Sequence, residues 1–233
     1  MTSPLAGTTA VVTGASRGIG RAIALRLAEA GAEVALWARD GAALRSVASE
    51  VTQRGGRAQA IVCDVTEPAG VSGAADVVRK TMSPVRVIVN NAGAALRKPT
   101  IATTDADWRV IMATNVDGTF YVTRAFLPDL ARTGGRIINI ASIAGREGTP
   151  LFGAYCAAKH AVVGFTRALA LELRAAKVCV NAICPGSVDT VMLRESMPGV
   201  RPDMTPDDIA RTALFLAHEA PEALTGSCID VFG

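Results

Sequence analysis

The sequence predicts an α/β fold: a parallel sheet covered by helices on both faces. Three observations carry that expectation. Short apolar runs of strand length alternate with longer helical patterns along the whole chain. The first such run opens into a glycine-rich turn, Thr13-Gly14-Ala15-Ser16-Arg17-Gly18-Ile19-Gly20. No repeat, low-complexity tract or linker interrupts the alternation, so one domain spanning 1–233 is expected, with a short irregular segment at about 187–204.

The elements follow in order. Residues 8–12 form a short apolar run, consistent with a buried strand. The glycines after it permit a tight turn and a close approach of backbone to a pyrophosphate. Residues 21–30 read as a helix whose amino end attracts phosphate through free N–H groups and the helix dipole. The spacing is GxxxGxG rather than GxGxxG. Residues 33–37 form the second strand, and Trp37-Ala38-Arg39-Asp40 closes it. A dinucleotide fold presents an acid there to the adenosine ribose. Ala38 or Arg39 takes that place here, and an arginine can pair with a 2′-phosphate. The alternative is a solvated Arg39 beside an Asp40 that caps the next helix.

A helix over 41–54 ends at Gly55-Gly56, and a third strand over 58–63 leads to Asp64-Val65. Residues 67–82 read as a glycine-interrupted helix. A fourth strand over 84–89 closes in Asn90-Asn91-Ala92-Gly93, where amides and a glycine suit a cleft edge or a plain turn. Residues 105–131 contain a long helix with Asn115 inside it, where an asparagine competes for backbone hydrogen bonds and distorts the helix or simply faces solvent. A strand over 137–141 leads to Ser142, and a second long helix covers 154–175. A sixth strand over 178–184 stops at Pro185-Gly186. Thr205 and Pro206 cap and open a helix running to about His218, and 227–231 is the last strand.

Composition narrows the function classes. Net charge is +3 with scattered basic residues, and only 4% of residues are aromatic, which argues against a nucleic-acid surface. Every apolar stretch meets a charge before membrane-spanning length. The start lacks a basic region followed by an apolar one, so no secretory signal is expected. Five cysteines without CxxC spacing read as reduced thiols of a cytoplasmic protein. The two histidines have no spaced partners, so no metal site is expected.

The chemistry concentrates in Tyr155-Cys156-Ala157-Ala158-Lys159. Four residues is about one helical turn, so Tyr155 and Lys159 project from one helix face. A phenol loses its proton near pH 10, and a neighbouring ammonium lowers that value. Such a pair suits proton transfer at a substrate oxygen. Ser142, at a strand end, can hydrogen-bond the same oxygen.

Taken together, these residues resemble a short-chain dehydrogenase/reductase of the 3-oxoacyl reductase-like group, over essentially the whole chain. The resemblance rests on Thr13 to Gly20, Asn90 to Gly93, Asn115, Ser142, Tyr155 with Lys159, and Pro185-Gly186 with Thr190. It implies a doubly wound Rossmann sheet of seven strands in the order 3-2-1-4-5-6-7, in a homotetramer built as a dimer of dimers. It also implies that Tyr155 is the general acid/base, that Lys159 lowers its pKa and holds the nicotinamide ribose, that Ser142 positions the carbonyl, and that Asn115 holds a water relaying protons to Lys159. Gly14, Ser16, Arg17, Gly18, Ile19 and Gly20 would line the adenosine and phosphates. Asp64 and Val65 would meet the adenine and Asn90 the nearby ribose, with Ala92 and Gly93 beside it. Pro185, Gly186, Val188 and Thr190 would border the nicotinamide.

Arg17 and Arg39 together favour NADP(H), with NAD(H) possible. The substrate segment before Thr205 is shorter than is usual in the family. Its Met192, Leu193 and Met197 have the spacing of a small apolar lid, or else cap the core. Arg132 and Arg174 lie near, but out of register with, arginines that dock an acyl carrier protein in related reductases. The leading expectation is NADPH-dependent reduction of a 3-oxoacyl thioester or other hydrophobic ketone. The alternatives are an NAD-dependent alcohol or sugar dehydrogenase and a non-catalytic dinucleotide-binding scaffold.

Overall fold

In the computed structural model, which describes residues 3–233, one sheet of seven strands has the order β3-β2-β1-β4-β5-β6-β7. The strands are β1 (Thr9–Thr13), β2 (Glu33–Ala38), β3 (Arg57–Val62), β4 (Val85–Asn90), β5 (Gly135–Ile140), β6 (Val178–Pro185) and β7 (Cys228–Val231). Every pairing is parallel. The helices are α1 (Gly18–Glu29), α2 (Gly41–Gln53), α3 (Pro68–Thr81), α4 (Asp105–Met112), α5 (Gly118–Thr133), α6 (Gly153–Glu172), α7 (Val191–Ser196) and α8 (Pro206–Leu214).

Side chains alternate across a strand, so one strand serves two cores. Ala10 and Val12 of β1 pack with Ile23 of α1, Leu44 of α2 and Ile209 of α8. Val11, between them, packs on the other face with Val71 of α3, Phe126 of α5 and Leu169 of α6. This double burial explains why the central strands read as unbroken apolar runs. Strand order reverses between β1 and β4, and a cleft opens beyond the carboxyl ends of strands at such a switch point.

Three expectations change. The segment over 67–82 is an uninterrupted helix, α3, because Val71, Ala74, Ala75 and Val78 recur on one buried face and outweigh Gly70 and Gly73. The helix over 105–131 is two helices, α4 and α5, joined by a wide turn at Ala113–Asp117. The Asn115 side-chain amide donates to Ile111 O at 2.9 Å, the carbonyl that an α-helix reserves for the Asn115 backbone N–H, and to Ala94 O at 2.8 Å. The expected distortion is therefore present, and its cause is the side chain. The irregular stretch over 187–204 contains α7, whose cap is Thr190, with its hydroxyl oxygen accepting from Leu193 N at 3.2 Å. No helix among the described residues is long and apolar enough to cross a membrane.

Candidate active site

The glycine-rich turn runs from the end of β1 into α1. Gly14 and Gly18 have φ of 63° and 55°, which a side chain would strain. Gly20 lies beneath the turn: a Cβ there would sit 2.3 Å from Gly14 O and 2.4 Å from Asn91 Nδ2. Its expected contact with cofactor is thus corrected to one of support, since this close approach holds the turn against β4. Asn91 fastens the same junction, its amide donating to Thr13 O at 3.0 Å and Gly14 O at 3.2 Å. The backbone N–H groups of Asn91 and Ala92 both donate to Thr13 Oγ1 at 3.0 Å. Arg17 precedes α1 without a side-chain cap, so the first N–H groups of the helix point outward with its positive dipole end.

A cleft of about 460 Å³ lies over this turn. Gly14, Ser16, Arg17, Gly18 and Ile19 form its floor, and Ala92 and Gly93 its far wall. Arg39, Asp64 and Val65 line the end beyond β2 and β3. The second strand stops at Ala38, so alanine takes the acid's place, and Arg39 follows it, exposed and facing the cleft. Asp40 caps α2, its carboxylate accepting from Ala42 N and Ala43 N at 3.0 Å. The Thr66 backbone N–H holds the Asp64 carboxyl below the usual range, helped by the Thr66 hydroxyl and the charge of Arg39. An uncapped helix start, a glycine cradle and a cation at the ribose end fit a nicotinamide dinucleotide.

Asn90 is corrected. Its side chain is 3% exposed and turned into the core, donating to Thr123 Oγ1 and Asn139 Oδ1, both at 2.9 Å. Alternation along β4 directs it inward, and Asn91, one residue on, lines the cleft instead.

A second cavity of about 400 Å³ shares Ile19, Asn91, Gly93, Thr190 and Met192 with the first, so the two are continuous. Asn115, Ser142, Tyr155 and Lys159 converge there. Pro185, Gly186, Val188 and Thr190 form the wall after β6, and Met192, Leu193 and Met197 cover one side. Sequence reading missed Phe152, Ile143, Asp203 and Phe232, which also line it. The first two flank Tyr155 and Ser142 in sequence, which is the available signal. The last two come from distant loops and gave none.

The tetrad is held by packing and a few hydrogen bonds. Ser142 starts a tight turn over Ile143–Gly145, its hydroxyl oxygen accepting from Ala144 N at 3.2 Å. Gly145 presses on α6, where a Cβ would lie 2.7 Å from Lys159 O. Tyr155 stands on α6 with Phe152 edge-on at 6.1 Å. Lys159 Nζ donates to Ile140 O at 2.8 Å and sits 5.7 Å from the Tyr155 ring centre. Burial pushes the Tyr155 phenol up to about 12, partly opposed by its hydrogen bond with Ser142. Burial also brings the Lys159 amine down to about 8. Desolvation is the dominant influence on the Tyr155 phenol, and the Lys159 amine is tied to β5. Asn115 Oδ1 is buried without a partner among the described residues. It faces the Gly93 backbone, where a Cβ would lie 2.9 Å from it and 3.6 Å from Lys159 Nζ. A water fits between such an acceptor and such a donor.

Arg132, at the end of α5, pairs with Asp129, and Arg174 follows α6. Both helices end just before β5 and β6 begin, so these arginines lie at the opposite edge of the sheet from Tyr155.

A family model described as short chain dehydrogenase matches residues 8–200. The 3-oxoacyl-[acyl-carrier-protein] reductase FabG of Chlamydia trachomatis is 35% identical, over 100% of this chain and 99% of that protein. Galactitol 2-dehydrogenase (L-tagatose-forming) of Cereibacter sphaeroides is 40% identical, over 98% and 95%. Among solved structures, a gluconate 5-dehydrogenase from Burkholderia cenocepacia in complex with NADP and tartrate superposes with a TM-score of 0.93 at 30% identity, covering 100% of this chain and 96% of that one.

Proposed function

The chain belongs to the short-chain dehydrogenase family, and from that premise we propose that it uses NADPH to reduce an apolar ketone to a secondary alcohol. The observation that carries this reading is the convergence of Ser142, Tyr155, Lys159 and Asn115 in an apolar cavity that opens directly into the dinucleotide cleft.

Held by the glycine turn, Arg17 and Arg39, a dinucleotide would supply hydride chemistry to the site. The protein handles the oxygen. Ser142 Oγ donates to the carbonyl oxygen and orients it. Tyr155 Oη, protonated throughout the physiological range, delivers the proton to that oxygen. Lys159, poised near neutrality, and a water at Asn115 Oδ1 restore the proton to Tyr155. Ile140 and Phe152, both buried, give the site an apolar wall beside Tyr155.

Ala38 and Arg39 at the end of β2, with Arg17 across the cleft, support a 2′-phosphate and thus NADPH over NADH. The walls formed by Ile143, Phe152, Leu193, Met197 and Phe232 support an apolar ketone over a polyhydroxylated one. The relatives named for galactitol and gluconate keep the sugar reading open to test. NADPH oxidation is measured against a 3-oxoacyl thioester, a cyclic ketone, a quinone and a keto-sugar. The reading expects the thioester or the cyclic ketone to give the highest kcat/KM. A keto-sugar ahead of both would overturn it. The same reading places the chain in the cytoplasm as a single-domain homotetramer, with the carrier-linked thioester as one form of substrate.

A further inference from the structure

We propose that Phe232 is a specificity-determining residue: its ring is the outer wall of the substrate cavity and selects ketones carrying an aromatic or flat apolar group. This inference rests on the ketone-reductase reading.

Phe232 follows β7 at the carboxyl edge of the sheet, as Gly186 follows β6. The two strands stay paired to their ends, with Gly186 N donating to Val231 O at 3.0 Å. The ring then lies close to the turn that borders the cavity: a Cβ on Gly186 would be 3.0 Å from Phe232 Cδ1. A side chain at 186 would crowd the ring and push it by a few tenths of an ångström.

The backbone beyond the ring packs on the loop before α8. Gly233, the next residue, presses on Asp203, where a Cβ would lie 2.4 Å from the Asp203 Cβ and 2.6 Å from its carbonyl oxygen. Asp203 is held in turn by Ser187, its N–H donating to Ser187 Oγ at 3.1 Å and to Ser187 O at 3.2 Å. The Ser187 hydroxyl donates back to the Asp203 carboxylate. This carboxylate, the cavity's own acid, is thereby engaged.

Phe232 nevertheless remains 56% exposed. A substrate group lying against it would cover that surface. The other cavity aromatic beside the tetrad, Phe152, is buried and packs on Tyr155, so it cannot play this part. The charge inventory agrees. Lys159 is the one Lys or Arg side chain lining the cavity, and its amine is bonded to Ile140 O. Nothing there offers a second cation to a sugar acid or a free carboxylate, whereas an aromatic face offers stacking and apolar area.

The test compares two ketones differing by one fused ring, 2-tetralone and cyclohexanone, with NADPH and the full chain. The readout is the ratio of their kcat/KM values. Phe232→Ala should lower the tetralone-to-cyclohexanone ratio by about tenfold, mainly through KM for tetralone. Phe232→Leu keeps apolar volume and guards against a folding defect in the alanine variant; it should lower the ratio by about threefold. Phe232→Tyr should restore it. An unchanged ratio in an active, folded variant would overturn the assignment. If the ratio holds while light scattering shows the variant losing its partners, the ring serves contact between copies and the inference likewise falls. Absence of turnover of either ketone by the unmodified protein would overturn this inference, whereas the ketone-reductase reading falls only if the 3-oxoacyl thioester is not reduced either.

Discussion

Lys159 Nζ donates to Ile140 O at 2.8 Å, anchoring the amine behind Tyr155 to the last residue of β5. Burial lowers that amine from 10.5 to about 8, so folding disfavours its charged form. Below about pH 8 both folded and unfolded chains hold the proton, and the full penalty applies. Between about pH 8 and 10 the folded amine is neutral while the unfolded one remains charged, and stability rises with pH. Lys159→Met lacks this titration. Calorimetric Tm values for both proteins should therefore change in relation to each other across that window, the unmodified protein gaining on the variant. A constant gap would show that Lys159 does not bury a charge.

Tyr155→Phe keeps the ring against Phe152 and removes the proton donor. Turnover should fall by about 10²–10⁴-fold, while dinucleotide binding followed by fluorescence titration is retained. Near-normal turnover would remove Tyr155 from its role.

The proposed preference for NADPH rests on Ala38, which ends β2, and on Arg39, which follows it. Ala38→Asp with Arg39→Leu restores an acid and removes the cation facing the cleft. The kcat/KM ratio for NADPH over NADH should exceed one in the unmodified protein and invert in the double variant. Equal values for both cofactors before mutation would refute the 2′-phosphate site.

Met192 and Leu193 lie on α7, which Thr190 caps over the nicotinamide end of the cavity. Replacing both with alanine should raise KM for an apolar ketone more than it lowers kcat, as for binding lost equally from ground and transition states. An unchanged KM would show that α7 only covers the core.

The strands were legible because the central ones bury both faces and so appear as plain apolar runs, as Val11 between Ala10 and Val12 illustrates. Motif spacing was equally readable where function depends on local geometry: Tyr155 and Lys159 are one turn apart on α6, and the glycine turn requires positive φ at Gly14 and Gly18. Orientation was harder. Asn90 and Asn91 are adjacent and chemically identical, and strand phase alone sends the first into the core and the second to the cleft. Burial was harder too: a one-turn spacing places Lys159 beside Tyr155 but does not encode the desolvation that pushes the phenol up. Phe232 and Asp203 escaped notice because only the completed sheet brings the end of β7 beside the loop before α8.

The wide turn at Ala113–Asp117 means that α4 and α5 do not share a rotational setting. One residue added to a helix turns everything beyond it by about 100°. Val122, Phe126 and Leu130 fix α5 on the sheet, while Trp108 and Val110 of α4 look outward. The outer face of α4 is therefore aimed by Asn115 and by Ile111, which packs on Ala154 and Ala158 of α6, and not by the grip of α5 on the core. Substitutions on that face are free to accumulate without unseating α5, and a deletion of one residue within the turn would swing the face round into the protein.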